Sequence, residues 1–262
     1  MKQLFVKMRG VEQPLHGQWK EGHDQVEVNG LDYSIDTFPF DLPTAGTVFG
    51  TLLNYEKEYE RLAPKMNEAP YNAPPKAPIL YVKPINTLLA HQLPIPLPTG
   101  YEEVTVGATI GLVIGRRATR LSKEEALSYV KGYTLVNDVS LPHESVHRPA
   151  VKEKARDGFC PIGPWIVAHD ESMNPNDWTI TVRINGEVKQ KIRTNQLIRN
   201  VVTLLEEVTD FMTLSEGDVL LIGVEGDLPV ARANDLVTID CPAIGTLENR
   251  VMEEKVIKEV YV

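Results

Sequence analysis

The chain has 262 residues, of which 42% are hydrophobic and 24% are charged, and its formal net charge is −9. This composition is that of an ordinary globular protein, so it excludes a disordered or fibrous chain, and the length suits one large domain or two modest ones. The negative charge, with no run of Lys or Arg, excludes nucleic acid and an anionic membrane as the main partner.

The N-terminal sequence MKQLFVKMRG lacks the long apolar stretch of a signal peptide, and no segment approaches the roughly 20 apolar residues of a membrane span. We therefore expect a cytoplasmic protein.

Two cysteines, Cys160 and Cys241, lie in apolar surroundings and are too few for a disulfide scaffold. We expect both to be reduced core residues, because neither has an evident base nearby in sequence.

The first half of the chain predicts mainly strands. The pair Asn29-Gly30 stands between two alternating runs and is typical of a tight hairpin. A short charged helix follows Asn54 and is predicted to stop at Pro64, and the proline-rich segment 64–98 favours extended connections. The stretch 105–115, TVGATIGLVIG, is predicted to be one buried strand.

The second half of the chain contains two predicted helices. Ser122 and Glu125 form a possible capping box, which opens a short helix that ends at Gly132. Apolar residues recur at helical spacing from about 195 to 212, so a longer helix is predicted there.

Further strands are predicted in this half. The pair Asn185-Gly186 is typical of a second hairpin, and segments 218–223 and 236–240 have the apolar character of strands.

Polar residues next to these strands are candidates for a site. Asp138 follows an apolar strand in YTLVNDVSLP, where a carboxylate can be a ligand or catalytic group, or else a turn or cap residue. Lys83 follows the run ILYV, where it could contact a substrate carboxylate or simply belong to an edge strand.

The segment VKEKARDGFCPIGPW presents Lys154 and Asp157 just before a compact turn. They are candidate site residues, with a salt-bridged surface loop as the alternative. His143 and His147 are four residues apart and could bind a metal on a helix, but the prolines on either side favour two loop histidines.

Taken in order, five segments resemble the fumarylacetoacetate hydrolase family along roughly residues 46 to 255: YVKP, ATIGLVIGRRATRLSKEEALSYVKGYTLVNDVSLP, KARDGFCPIGPW, LSEGDVLLIG and IGTLENRV. The resemblance implies a β-rich α+β fold of rolled, mixed sheets with a few flanking helices. We assign residues 46–262 to this domain and 1–45 to a β-rich N-terminal extension.

The resemblance also implies keto/enol dicarboxylate or tricarboxylate substrates. The expected reactions are C–C cleavage, decarboxylation or tautomerisation, commonly with Mg²⁺ or Mn²⁺ as cofactor. Such a cation stabilises the enolate that forms beside a carbonyl, and it prefers hard oxygen ligands.

The chain departs from the family pattern at the metal site. Active members present Glu-x-Glu on the strand that ends Val-Ile-Gly, together with the aspartate matched by Asp138. In this sequence Gly107 and Thr109 occupy the two glutamate positions, and Glu102 and Glu103 lie too far upstream on an extended strand to replace them. Asp138 is thus a remnant of the ligand set, and we expect the metal to be absent or weakly bound.

Two further departures concern groups that would meet the substrate. Many relatives carry a histidine and a glutamate on a mobile lid, where this chain has Glu58 and Arg61. Glu58 is a candidate proton carrier, with an exposed lid residue as the alternative. The family's Gly-Thr-Pro becomes Gly223-Val224-Glu225, which removes a hydroxyl group.

The resemblance, together with these departures, implies a component of an aromatic-acid catabolic lyase/isomerase. The first hypothesis is that the chain is one lobe of a two-lobed enzyme and has lost most of its metal ligands. This lobe would pair with a second copy of itself or with a metal-bearing paralogue. The second is an autonomous enzyme with Lys154 as the electrophile and Asp138 or Glu58 as the proton carrier, with Lys83 and Asp157 binding substrate. The third is a module that binds small carboxylates without turnover.

Overall fold

Strands dominate the chain, as the sequence predicts. The computed structural model describes residues 1–69, 72–143 and 150–261. The strands of these residues are β1 (Lys2–Val6), β2 (Leu15–Trp19), β3 (Gln25–Val28), β4 (Leu31–Ser34), β5 (Val48–Leu52), β6 (Ile79–Lys83), β7 (Leu88–Ala90), β8 (Ile95–Leu97), β9 (Glu103–Thr105), β10 (Ala108–Ile114), β11 (Val130–Asn137), β12 (Cys160–Ala168), β13 (Thr179–Ile184), β14 (Glu187–Arg193), β15 (Val219–Leu221), β16 (Val230–Arg232), β17 (Leu236–Cys241) and β18 (Gly245–Glu253).

The strands form one large sheet and two smaller ones. The main sheet has the order β4-β3-β2-β1-β12-β11-β10-β15-β5-β6, with β7 paired to β12 beside this path. A second sheet has the order β14-β13-β17-β18-β8, and β16 pairs with β9. Parallel pairs such as β15 with β5 occur among antiparallel ones, so the sheets are mixed. The β-rich α+β class is confirmed.

The first 45 residues contribute β1 to β4, which extend the main sheet. The junction is the antiparallel pairing of β1 with β12, where Leu4 faces Val167. Leu4 and Val6 are buried, as are Val26 and Val28 of β3, so this segment shares the core of the sheet. The division at residue 45 remains a prediction.

The stretch 105–115 is not one strand but two, which corrects the prediction. β9 ends at Thr105 and pairs with β16, whereas β10 begins at Ala108 and lies in the main sheet. All seven residues of β10 are buried, as predicted for that part. The break falls at Gly107, whose N–H donates to the side-chain oxygen of Asn137 in β11 instead of to a backbone carbonyl oxygen.

Both Asn-Gly hairpins are confirmed. Asn29 and Gly30 have φ values of 52° and 80° between β3 and β4, and Asn185 and Gly186 have 52° and 81° between β13 and β14. Positive φ at both central residues is the requirement of the type I′ turn, which Asn and Gly meet at low cost. The predicted strands at 218–223 and 236–240 correspond to β15 and β17.

Helices flank the sheets. Those of the described residues are α1 (Glu56–Met66), α2 (Val151–Lys154), α3 (Val201–Phe211) and α4 (Glu254–Tyr261), with 3₁₀ turns at Ile85–Thr87, Ala126–Tyr129 and Thr194–Gln196. None of the helices in the described part of the chain is both long and apolar enough to cross a membrane.

The helix predicted from about 195 to 212 begins later than expected. Asn200 caps it, because its side-chain oxygen accepts the N–H of Thr203 at 3.0 Å. Leu197 belongs to the apolar pattern but remains extended and bridges to Tyr55. Tertiary pairing therefore outweighs helical periodicity at this end.

Two other helix predictions are also corrected. Pro64 does not stop α1, which continues to Met66, because proline has a helical φ and removes only one hydrogen bond near the end. The Ser122 helix is reduced to the 3₁₀ turn at Ala126–Tyr129 that leads directly into β11. Half of the predicted capping box forms, with Glu125 Oε1 accepting the Ser122 N–H at 3.1 Å.

The two cysteines are confirmed as buried and free. Burial raises the pKa of Cys160 to about 12 and that of Cys241 to about 11. Both thiols are therefore neutral near pH 7 and are inert as nucleophiles.

Candidate functional site

The site is built around Asp138, which directly follows β11. Its backbone N–H donates to Gly107 O at 2.8 Å, and its side chain is only 2% exposed. A buried carboxylate must be compensated, because isolated charge is strongly disfavoured away from water.

Two lysines supply that compensation. Lys154 Nζ, at the end of α2, lies 2.7 Å from Asp138 Oδ2, and Lys83 Nζ, at the end of β6, lies 3.0 Å from Asp138 Oδ1. Three strands separate β6 from β11 in the sheet order, so a flat sheet would hold them about 19 Å apart at the usual strand spacing. The sheet must therefore roll to bring these side chains together, which agrees with the predicted architecture.

Asp138, Lys83 and Lys154 together form what we call the Asp138 cluster. Lys83 is its innermost lysine. Its side chain is fully buried, and Nζ donates to the carbonyl oxygens of Val139 at 3.1 Å and Lys154 at 2.8 Å. Its approach to Asp138 Oδ1 is an ion pair without hydrogen-bond alignment, and Oδ1 accepts no hydrogen bond from the described residues. These contacts are internal to the protein, and substrate binding by Lys83 stays a prediction.

Tyr81 is a third partner of Asp138 that the sequence reasoning missed. Its hydroxyl donates to Asp138 Oδ2 at 2.5 Å, and the Lys154 ammonium lies 5.2 Å from the centre of its ring. The missed signal is the period of two along β6, which places Tyr81 and Lys83 on the same face. Because Tyr81 lies on the same face of β6 as the candidate Lys83, it could have been predicted as a neighbour of the site.

The electrostatics keep Asp138 ionised. Burial alone would raise the pKa of Asp138, but the Lys154 and Lys83 ammonium groups and the hydrogen bonds from Lys154 and Tyr81 hold it well below its usual range. Burial and the neighbouring Asp138 carboxylate raise the pKa of Tyr81 well above its ordinary value. Asp138 is thus a weak base, and Tyr81 remains protonated near pH 7.

The residues present do not fit a divalent cation. Gly107 supplies no side chain, and a Cβ at this position would lie 2.5 Å from the carbonyl oxygen of Asp138, closer than real atoms approach. The Thr109 hydroxyl donates to Gly223 O at 2.5 Å. Asp138 is already paired with Lys83 and Lys154, so the residues that the structure describes around it do not assemble the oxygen-rich donor set that Mg²⁺ or Mn²⁺ requires.

No group of three or more His, Cys, Asp or Glu that could hold a metal ion occurs elsewhere in the described ranges. Glu103, considered as an upstream substitute, instead pairs with Arg232 across β9 and β16 at 3.2 Å. His143 Nδ1 lies 2.9 Å from Leu141 O in a loop, and His147 lies outside the described residues.

The lid motif begins at Asn54, which is buried and anchors α1. Its side chain donates to Ile222 O at 2.7 Å and Arg199 O at 3.0 Å, and accepts the Arg199 N–H at 2.9 Å. Glu58, one turn into α1, forms a two-pronged ion pair with Arg61 at 2.8 and 3.1 Å. Its side chain is 16% exposed, so it is more enclosed than the exposed lid residue considered as the alternative.

Two positions singled out in the sequence, Asp157 and Glu225, have their contacts outside the Asp138 cluster. Asp157 is exposed, and its Oδ1 accepts from Asn86 at 2.7 Å. At the family's Gly-Thr-Pro position, Glu225 is nearly buried, and burial, as the main cause, raises its pKa.

A cleft of about 480 Å³ lies elsewhere, lined by Trp19, His91, Trp165 and Glu248 among others, and none of the Asp138 cluster lines it. We place the candidate site at Asp138 despite this cleft, because the buried charges and the sequence motifs converge there.

Comparison with known proteins establishes the family. Residues 47–252 match the sequence model described as fumarylacetoacetate (FAA) hydrolase C-terminal. The chain belongs to this family, whose members commonly bind divalent metals.

The similar proteins include named enzymes. The chain is 39% identical over 210 residues to the 4-hydroxyphenylacetate degradation bifunctional isomerase/decarboxylase of Escherichia coli, covering 80% of this chain and 48% of that protein. The protein of the same name from Salmonella dublin is 40% identical over 209 residues, with the same coverage. The chain thus spans about half the length of these curated relatives.

A solved structure extends the likeness to nearly the whole chain. The 5-carboxymethyl-2-hydroxymuconate delta-isomerase from Mycobacterium smegmatis superposes with a TM-score of 0.76 at 26% identity. The match covers 97% of this chain and 99% of that chain.

Proposed function

We propose that this chain is the metal-ligand-depleted lobe of a 5-oxopent-3-ene-1,2,5-tricarboxylate decarboxylase and 2-hydroxyhepta-2,4-diene-1,7-dioate isomerase of 4-hydroxyphenylacetate catabolism. It pairs with a second copy of itself or with a metal-bearing paralogue in the cytoplasm. The names of the bifunctional relatives support the pathway, and their doubled length supports a partner lobe.

One observation carries the proposal. The Asp138 carboxylate is occupied by two ammonium groups and a phenol, while Gly107 and Thr109 offer no carboxylate beside it. A cation brought to this pocket would have to displace Lys154 and would meet one anionic ligand in place of three. Mg²⁺ or Mn²⁺ is therefore absent or weakly bound in this lobe, and where the partner is a metal-bearing paralogue, the metal chemistry belongs to that paralogue.

The test is an activity assay of the purified chain with Mg²⁺ or Mn²⁺ and each of the two substrates, alone and after mixing with a family member that carries Glu-x-Glu. We expect no turnover by this chain alone. In the mixture we expect a complex in native mass spectrometry and turnover altered from that of the metal-bearing member. Brisk turnover by the chain alone would contradict the proposal.

An autonomous lyase/isomerase is the second candidate, favoured by the partly open Lys154 ammonium, whose side chain is 18% exposed. In this case Lys154 is the electrophile, and Lys154→Ala abolishes the reaction without unfolding the chain. The proton carriers considered from sequence suit this candidate less well, because Asp138 is held ionised and Glu58 is paired with Arg61.

A third candidate, a module that binds small carboxylates without turnover, needs only the positive charge of the cluster. Product analysis after incubation with the dicarboxylate separates it from an enzyme, because unchanged substrate indicates binding alone.

A further inference from the structure

The cleft of about 480 Å³ lies where the N-terminal strands meet the second sheet, and we call it the seam cleft. On one side it is lined by the loop after β2 and by the residues after β4, and on the other side by β17 and β18. Trp19 and Trp165 line it where the two sides meet, with ring centroids 5.5 Å apart. No member of the Asp138 cluster lines it, so a ligand in this cleft is separate from the site described above.

The lining of the seam cleft is strongly acidic. Its described residues include no Lys or Arg but five carboxylates, those of Glu21, Asp24, Asp36, Asp240 and Glu248. Glu21 Oε2 lies 3.2 Å from Lys2 Nζ, whereas the other four carboxylates form no ion pair within the described part of the chain. The cleft therefore repels anions and attracts cations.

Two of these carboxylates share one face of a strand pair. Asp240 in β17 is registered with Thr246 in β18, and Glu248 stands two residues further along β18. Diagonal neighbours of this kind face the same side of a sheet and lie about 7 to 8 Å apart. Both side chains are half-buried, and each accepts a threonine hydroxyl, Asp240 from Thr246 at 3.1 Å and Glu248 from Thr238 at 3.3 Å. A positive group between them would relieve the repulsion of two like charges.

The rim of the seam cleft shows how the chain holds an ammonium group. Lys2 Nζ donates to Pro242 O at 2.7 Å and to Glu21 Oε2 at 3.2 Å, and it lies 5.3 Å from the centre of the Trp19 ring. A carboxylate, a carbonyl oxygen and an indole ring therefore bind one primary ammonium at this edge, while Asp240 and Glu248 stay without a cation among the described residues.

The cation that fits is organic rather than a metal ion. The described ranges hold no group of three or more His, Cys, Asp or Glu that could bind a metal, so the carboxylates of the cleft do not converge on one point. Separated carboxylates instead suit a molecule whose polar groups are themselves separated.

His91 adds one fixed donor to the cleft. It is 3% exposed, and its Nδ1 accepts the Glu248 N–H at 3.0 Å, which leaves the proton of the neutral ring on Nε2. Nε2 has no hydrogen-bond partner among the described residues, and it is not one of their sealed polar atoms, so it opens into the cleft that His91 lines. An enclosed N–H without a partner costs free energy, and a ligand with an acceptor oxygen removes that cost.

We infer that the seam cleft binds a small hydroxylated amine of the amino-sugar class, with its ammonium group at Asp240 and Glu248 and a hydroxyl group on His91 Nε2–H. Hydroxyl groups suit this lining because they donate to carboxylates and accept from His91. A neutral sugar leaves the carboxylates without a cation, and an amine without oxygen leaves His91 without an acceptor. Stacking is not needed, since Trp19 and Trp165 are nearly buried and both indole N–H groups are already bonded within the chain.

The test is calorimetric titration of the full chain with glucosamine at low ionic strength and about pH 6, where the amine is protonated. Burial lowers the pKa of His91 to about 4, so His91 is neutral under these conditions. Phosphate buffer is used, because Tris is itself a hydroxylated amine. Glucose, which lacks the ammonium group, and cyclohexylamine, which has the same ring size but no oxygen, are the matched probes. We expect both to bind about tenfold more weakly or worse, and equal binding by either would overturn the inference.

A pair of double variants places the site. Asp240→Asn/Glu248→Gln keeps the shapes of both side chains and should weaken glucosamine binding by about tenfold or more. Glu124→Gln/Glu171→Gln is the matched control, since it changes the net charge equally at two exposed residues that do not line the cleft. Equal weakening by the two double variants would show that only the overall charge matters and would reject the site.

The probes on the unaltered chain keep the test decisive if the Asp240 and Glu248 double variant does not fold. Glucosamine affinity should then fall as NaCl is added, and affinity that is indifferent to salt counts against the site. The Asp138 cluster, turnover and assembly play no part in these measurements, so this inference and the proposed function fail separately.

Discussion

The phenol ring of Tyr81 lies over the α-carbon of Gly50, its registered partner in the antiparallel pair of β5 and β6. A Cβ at residue 50 would overlap this ring. Because glycine leaves the space free, the ring can lie across the neighbouring strand and carry its hydroxyl to Asp138. Gly50 thus allows the Tyr81 hydroxyl to reach and hydrogen-bond the buried Asp138 carboxylate.

We therefore predict that Gly50→Ala displaces Tyr81 and destabilises the fold by about 2 to 4 kcal/mol, the sum of a lost hydrogen bond to a charged group and local overpacking. Urea denaturation measures the free energy of unfolding. In a Tyr81→Ala background the same substitution should cost much less, because the ring is no longer there. Equal costs in the two backgrounds would show that Gly50 acts through some other contact.

Restoring the family's carboxylates should not restore a metal site. In Gly107→Glu/Thr109→Glu the new Cβ at 107 lies against the Asp138 carbonyl, the Thr109 to Gly223 hydrogen bond is lost, and both lysines still pair with Asp138. We expect lower stability and no tight Mn²⁺ binding by electron paramagnetic resonance. Thr109→Val is the control for the lost hydroxyl. A tightly bound Mn²⁺ in the double variant would show that the two side chains alone distinguish this chain from metal-binding relatives.

The local structure was predictable from sequence where it depends on near neighbours. The Asn-Gly turns and the apolar character of β10, β15 and β17 are short-range signals, and each was predictable from its own segment. The break at Gly107 was not, because it depends on β16, a distant partner of β9. Tertiary pairing also decided the start of α3.

The site was predictable only in part, for the same reason. Asp138, Lys83 and Lys154 stand in recognisable motifs, but their mutual contacts join residues from separate strands of a rolled sheet. Tyr81 and Asp138 are 57 residues apart in sequence. No local pattern encodes that distance, whereas the order and curvature of the strands do.

His91 should make stability depend on pH. It is 3% exposed, and its Nδ1 accepts the Glu248 N–H at 3.0 Å. Burial lowers the pKa of His91 to about 4, whereas an unfolded histidine titrates near 6.5. Between these values the unfolded state binds more protons, so this contribution is fully present above pH 6.5 and is lost as the pH falls toward 4.

We expect that loss to be on the order of 3 kcal/mol for His91. His91→Gln should flatten the pH dependence of the free energy of unfolding between pH 6.5 and 4.5, even if it lowers stability overall. Because burial also lowers the pKa of His169, the informative quantity is the difference between the two pH profiles. Parallel profiles would show that His91 carries no part of the dependence.

Tyr55 and Tyr133 allow a matched comparison of two buried hydroxyls. The Tyr55 hydroxyl is sealed from solvent and has no hydrogen-bond partner among the described residues, while the Tyr133 hydroxyl lies 2.9 Å from His169 Nδ1. Removing an unpaired buried hydroxyl forfeits no bond, whereas removing a paired one leaves its partner unsatisfied. Tyr55→Phe should therefore be neutral or stabilising by up to about 1 kcal/mol, and Tyr133→Phe should cost about 1 kcal/mol or more. Urea unfolding of the two variants decides, and a larger loss for Tyr55→Phe would mean that its hydroxyl has a partner after all.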